Sequence, residues 1–394
     1  MKGRTALFLL ICIILLSLGV RGIIGSTEER LGQDLDIEKK RSEVIKIGVF
    51  EPLTGGAASG GQMTLEGIQL AQQLYPEVLG KKVELVIEDN KSDKSVAAKA
   101  VTKLVHEENV NALIGSYGSS LSIAAGEVVK KVKIPTVGCS PTNPQVTYNN
   151  PYYFRVCFMD PFQGTVMANY AARELGAQKA IIVQDTTQEY SLGLSQYFME
   201  SFKELTGNEK SIISVVPYVS GESDFEEQLE SIKDVEADVI FVPGNYMESA
   251  MFIKQARQFG IKIPIIGGDT WETYNFMEIG GPEVEGATFS THFTAETPIT
   301  EMSNQFIEAY QKQYGKAPNA FGALGFDAYM VLINAIERAN SVNPEKIKAA
   351  LAETVHFKGA TGSITLDSDG NTRKSAVIKK IENGRFKYVT FINE

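Results

Sequence analysis

The stretch "NALIGSYGSSLSIAAGEVVKKVKIPTVGCSPTN", Asn111 to Asn143, reads in order as strand, turn, helix and strand. "NALIGSY", 111 to 117, is a strand candidate, and Ser120 to Lys131 places its apolar residues at helical spacing. Ile134 to Ser140 is a second β-branched run. A strand returned through a helix builds a parallel pair by a right-handed crossover, with the helix covering one face of the sheet.

Working outward, the same alternation continues in both directions. Upstream lie strand candidates at 45 to 50 ("IKIGVF") and 82 to 89 ("KVELVIED"), with helix candidates near 63 to 75 and 92 to 108. "YYFRVCF", 152 to 158, closes this first series. A second series has strands at 179 to 185, 211 to 218, 237 to 244, 263 to 269 and 286 to 293. Helices near 163 to 174, 191 to 206, 225 to 233 and 247 to 259 separate them. Two such series predict an α/β chain of two doubly wound parallel-sheet lobes.

The last hundred residues are mainly helical, at 299 to 314, 321 to 340 and 344 to 354, with extended character only at 362 to 367 and 375 to 392. Helices without strands need a sheet to cover, so the chain is expected to cross back onto the first lobe. Asn383-Gly384 supplies the positive φ values of a tight turn, which makes the end a hairpin able to join the second lobe. Crossings near 159 to 162, 291 to 297 and 371 to 375 would form a three-strand hinge. Lobe 1 is then 45–160 plus 294–374, and lobe 2 is 161–293 plus 375–394.

Residues 1–25 have the charged start and apolar run of an export signal or N-terminal anchor, Lys2 and Arg4 preceding Ala6 to Val20. Residues 26–44 are charged, lack periodicity and read as a flexible linker. This places the protein at the periplasmic or extracellular face of a membrane. The net charge of −10 and scattered basic residues argue against nucleic acid as a partner. His106, His292 and His356 lie far apart and have no cysteine at ligand spacing, so no metal site is expected and all three read as structural or surface histidines. Cys139 and Cys157 lie within apolar strand patterns and read as buried thiols, although export would permit them to pair.

In open parallel sheets, ligands bind beyond the carboxyl ends of the strands. Ser116, Gly118, Ser119 and Ser120 stand where strand passes into helix, and Ser140, Thr142 and Asn143 stand at the end of the next strand. Hydroxyls and unpaired helix amides there suit an anion, although serine and threonine also cap helices in most folds. "TGGAASGG", 54 to 61, matches no phosphate-binding pattern and has no lysine; it reads as a pliant cleft wall. No G-x-S-x-G elbow surrounds Ser119 or Ser140, and no catalytic residue is assigned. The second series offers Asp185, Tyr190, Tyr246, Asp269 and Trp271 at its strand ends. Asp269, after two glycines, suits a helix cap and a cationic ligand group equally.

Taken in order, "IKIGVFEPLTG", "TLEGIQLA", "LVIEDNKSD", "LIGSYGSS", "IPTVGCSPTNP", "YYFRVCFMDPFQG", "DTTQEYSLGL", "DVIFVPGNYMES", "IIGGDTW" and "FGALGFDAYMVL" resemble the type I periplasmic solute-binding proteins of ABC importers, in the leucine/isoleucine/valine-binding branch. The resemblance covers Ile45 to the C-terminus. It implies a periplasmic binding protein-like I fold, no cofactor, a small-molecule amino acid as ligand with a branched aliphatic side chain leading, an ABC permease as partner and a monomeric protein. It also implies that Ser119 and Thr142 with nearby amides hold the ligand's carboxylate. The carbonyl of Ser140, the hydroxyl of Thr142 and Asp269 would receive its ammonium, with Tyr190 and Tyr246 closing from the second lobe. Tyr117, Gly118, Trp271 and Phe321 would shape the side-chain pocket. The chain departs from its relatives in having Ser59 for an aromatic, Asp269 for glutamate, and Lys91 and Gly118 where they carry a disulfide. A ligand-sensing subunit of the same fold, uncoupled to transport, is the alternative.

Overall fold

The computed structural model describes residues 44–394; the segments read as export signal and linker lie outside them, apart from Val44. In chain order the first half contains β1 (Val44–Glu51), α1 (Ala58–Leu74), β2 (Glu77–Val78), β3 (Lys81–Asp89), α2 (Lys94–His106), β4 (Ala112–Ile114), α3 (Ser119–Val132), β5 (Thr136–Gly138), β6 (Tyr153–Arg155) and α4 (Asp160–Asn169). There follow β7 (Ala180–Asp185), α5 (Glu189–Thr206), β8 (Ile212–Tyr218), α6 (Glu226–Ile232), β9 (Val239–Val242), α7 (Tyr246–Gln258), β10 (Ile265–Gly267), α8 (Tyr274–Gly280) and β11 (Thr288–Thr291). The remainder is α9 (Glu301–Tyr314), α10 (Ala320–Ala339), α11 (Pro344–Ala352), β12 (Phe357–Gly359), β13 (Gly362–Ile364), β14 (Ala376–Glu382) and β15 (Arg385–Ile392).

The strands form a six-stranded sheet, β2-β3-β1-β4-β5-β6, and a seven-stranded sheet, β15-β14-β11-β10-β9-β7-β8. Within the opening stretch, Leu113 pairs with Thr136 in parallel register, as the crossover requires. The second sheet is buried on both faces: Ile181 and Val183 of β7 join one apolar cluster, and Ala180 and Ile182 join the other. Successive side chains of a strand point to opposite faces, so burial of both produces the continuous apolar run "AIIV".

The chain leaves the first sheet after Arg155 and enters the second through α4, leaves it again after Thr291 for α9 and α10, and returns between Thr372 and Ala376. α10 packs on α1 at very short range. A Cβ on Gly67 would stand 1.8 Å from the Gly322 carbonyl oxygen, and one on Gly325 would stand 2.2 Å from that of Thr64. The terminal hairpin turns at Asn383 (φ 53°) and Gly384 (φ 64°), and β14 pairs antiparallel with β11.

Some local expectations change. α1 begins at Ala58, so the second half of "TGGAASGG" is helix, not loop. Its glycines serve packing: a Cβ on Gly60 would fall 2.2 Å from the Tyr117 ring. Gly362–Ile364 pairs with Phe357–Gly359 in a separate small sheet and joins neither large one. α8 has no counterpart in the sequence reading. Cys139 and Cys157 are buried and free.

Candidate functional site

A cavity of about 420 Å³ lies beyond the carboxyl ends of parallel strands from both sheets. The first sheet contributes the entry to α3. β4 stops at Ile114, the backbone turns through Gly118 at φ 86°, and the helix starts at Ser119. Positive φ makes glycine the fitting residue at that turn. Ser119, Ser120 and Leu121 of the first turn line the cavity, and their amides have no intrahelical acceptor. The Ser119 hydroxyl accepts the Asn143 N–H at 3.0 Å, leaving its own proton available. Ser140 also lines the cavity, and its hydroxyl has no partner among the described residues.

Asp269 faces the cavity from the end of β10 and is 2 % exposed. Its Oδ1 accepts the Tyr190 hydroxyl at 2.8 Å and Gln163 Nε2 at 2.9 Å, while Oδ2 is 3.1 Å from His292 Nε2. Gly268 before it is required by this network, since a Cβ there would sit 2.2 Å from the Tyr190 hydroxyl. A carboxylate held by three donors is fixed in direction and can still accept from a cation on its open side.

Of the residues implicated from sequence, Ser119, Ser140, Tyr190 and Asp269 share the cavity wall, together with Tyr117 and Gly118. Thr142, Tyr246, Trp271 and Phe321 are not among its lining residues. Thr142 is fully buried with an unpartnered hydroxyl. Tyr246, 2 % exposed, heads α7 and has its hydroxyl by the Ser59 backbone. Trp271 turns away into the apolar core, stacked on Phe276 at 4.9 Å, because a glycine at 267 leaves room for its ring. Phe321 stands behind Tyr117, edge to face at 4.9 Å, and so supports the wall from outside.

Sequence reasoning missed the residues that bridge the mouth. Asn245 Nδ2 donates to the Gly56 carbonyl at 3.0 Å, and the Tyr117 hydroxyl donates to Asn245 Oδ1 at 3.3 Å. Lys94 Nζ meets Glu189 at 2.8 Å and the Thr187 carbonyl at 3.0 Å. It missed His292 as well, which is buried and stacked on Phe158 with centroids 3.8 Å apart. A histidine on a β-branched strand gives no sequence signal of its partner when that partner comes from another strand.

Burial also sets the charges around the site. It raises the carboxyl of Asp160, at the head of α4, to about 8, and that of Glu51, at the end of β1, to about 8. Glu248, on the cavity wall, is raised for the same reason.

A family model described as periplasmic binding protein matches residues 44–385. The Leu/Ile/Val-binding protein homolog 2 of Brucella abortus (strain 2308) is 27% identical over 354 residues, covering 87% of this chain and 93% of its own. The crystal structure of a leucine binding protein, LivK, from Thermotoga maritima superposes with a TM-score of 0.86 at 41% identity, covering 89% of this chain and 99% of that one. The branched-chain amino acid transporter substrate binding protein LivJ from Streptococcus pneumoniae, solved in complex with isoleucine, gives 0.84 at 31% identity over 89% and 100% of the two chains. With its two sheets, three passages and shared cavity, this chain belongs to the periplasmic binding protein family.

Proposed function

We propose that the protein is the extracytoplasmic substrate-binding component of an ABC importer and that it captures an amino acid, foremost a branched aliphatic one, between its two sheets. One observation carries this reading: helix amides and the Ser119 hydroxyl from one sheet, and the Asp269 carboxylate from the other, line a single cavity of about 420 Å³. A zwitterion has one charged group for each. The family membership and the leucine- and isoleucine-associated relatives support the same ligand class.

Holding a ligand of about nine heavy atoms at about 1 μM needs roughly −8 kcal/mol, or about −0.9 kcal/mol per atom. That requires near-complete burial, and burial leaves an unpaired charge several kcal/mol worse off, so both ends need partners. In this reading the two halves hinge at the three passages, ligand selects the closed form, and that form docks as a monomer on a membrane permease. The chain works without cofactor or catalysis, exported by its N-terminal segment.

Calorimetry against the amino acids tests this. Leucine, isoleucine or valine is expected to bind at micromolar concentration or below, and Asp269→Asn and Ser119→Ala are each expected to weaken binding at least tenfold. Unchanged affinity in both variants, or no heat with any amino acid, defeats the assignment.

A further inference from the structure

We infer that His292 is a positioning residue for the ligand's ammonium: the neutral imidazole holds the Asp269 carboxylate in place, and a protonated one competes with the ammonium. This rests on the reading of Asp269 given above. The imidazole lies where two of the three passages between the sheets meet. It follows β11 at one passage and stacks on Phe158, which precedes α4 at another.

The geometry assigns the tautomer. A carboxylate oxygen only accepts, so Nε2, 3.1 Å from Asp269 Oδ2, carries the hydrogen and Nδ1 is bare. Nδ1 is buried and has no partner among the described residues. A second proton there would add a buried N–H without an acceptor and a positive charge in contact with the carboxylate. Asp269 is held on Oδ1 by Tyr190 and Gln163 in either case, so its direction persists. Its attraction for a second cation does not. Ammonium binding and His292 protonation therefore oppose each other, and by linkage each displaces the other to the same degree.

Other titratable groups stand nearby. Asp160 of α4, Tyr190 of α5 and Cys157 after β6 all feel the Asp269 charge. Glu272 accepts from Thr291, the residue before His292, and is paired with Lys379 at 2.7 Å. All of these remain in a His292 variant, so their share of any pH profile is common to variant and wild type.

The test is leucine binding by calorimetry at a series of pH values between about pH 5 and pH 8. Wild-type affinity is expected to fall at least fivefold more than that of His292→Gln as pH drops from 8 to 5. The variant, whose amide supplies one donor and no titration, should bind about threefold more weakly at pH 8 and follow a flatter profile. Profiles of equal slope overturn the proposal. If His292→Gln does not fold, His292→Asn, which also carries an amide donor and does not titrate, takes its place: a flatter profile than wild type supports the proposal, and profiles of equal slope overturn it. Failure of the amino-acid reading looks different, since leucine then produces no heat at any pH and Asp269→Asn changes nothing.

Discussion

The Tyr190 hydroxyl donates to Asp269 Oδ1 at 2.8 Å, with both side chains buried at the cavity wall. The tyrosine thus supports the carboxylate as well as lining the cavity. The acceptor is a carboxylate, and a hydrogen bond to a charged group is worth about 1.5–3 kcal/mol, which corresponds to roughly 12- to 160-fold in affinity. Tyr190→Phe is expected to weaken leucine binding within that range, and Asp269→Asn to weaken it more. Calorimetry that ranks the two the other way round would remove tyrosine's supporting role.

Glu189 joins the two halves of the molecule through three groups at once. Its N–H donates to Ser120 Oγ at 3.0 Å, its carbonyl accepts Asn143 Nδ2 at 2.8 Å, and its carboxylate meets Lys94 at 2.8 Å. All three partners belong to the first-sheet half. The ion pair is substantially exposed, with side chains 42 % and 35 % accessible, so solvent limits it to about 0.2–1 kcal/mol. Lys94→Ala is therefore expected to speed leucine release by no more than about fivefold, with little change in the rate of association. Stopped-flow dissociation at low and high salt checks this, because the difference should shrink as salt screens the pair.

The architecture was legible in the sequence because both faces of each sheet are covered. Runs such as "AIIV" in β7 and "VIFV" in β9 have no polar interruption, and the helices between them show their apolar faces clearly. The strand ends were legible for a similar reason: Ser119, Ser140 and Asp269 each stand a few residues beyond an apolar run, after a glycine that ends it. Side-chain direction was not. Trp271 stands two residues after Asp269 in a short 3-10 turn, and that turn sends one side chain to the cavity and the other to the core. His292 and Gln163 were hidden because their partner Asp269 is 23 and 106 residues away in sequence. Local patterns carry information about faces and ends, whereas contacts between strands depend on a register that the sequence does not state.

The crossing of α1 and α10 depends on atoms that are missing from glycine. Because a Cβ on Gly67 would lie 1.8 Å from the Gly322 carbonyl oxygen, and that oxygen belongs to helix backbone, the neighbour has little freedom to yield. Gly67→Ala is expected to cost about 1–3 kcal/mol, the usual penalty for overpacking, despite alanine's better helix propensity. Chemical denaturation measures it, and a variant as stable as wild type would mean that the two helices can part without loss.

Glu51 ties the pH dependence of stability to the cavity wall. It is fully buried at the end of β1, and its Oε2 accepts the Tyr117 N–H at 2.6 Å. Burial outweighs that hydrogen bond and raises the carboxyl from 4.5 to about 8. Between those two values the folded protein retains a proton that the unfolded chain has released. Stability therefore falls as pH rises through this window, and the contribution is lost once pH passes about 8. Glutamine keeps an oxygen for Tyr117 and cannot ionise. The melting temperature of Glu51→Gln relative to wild type should accordingly climb from about pH 5 to about pH 8 and then level off. Asp160, shifted in the same direction, is present in both proteins and cancels in the comparison. Thermal melts at unit intervals of pH measure the difference directly, and a constant offset would show that Glu51 does not carry a proton in the folded state.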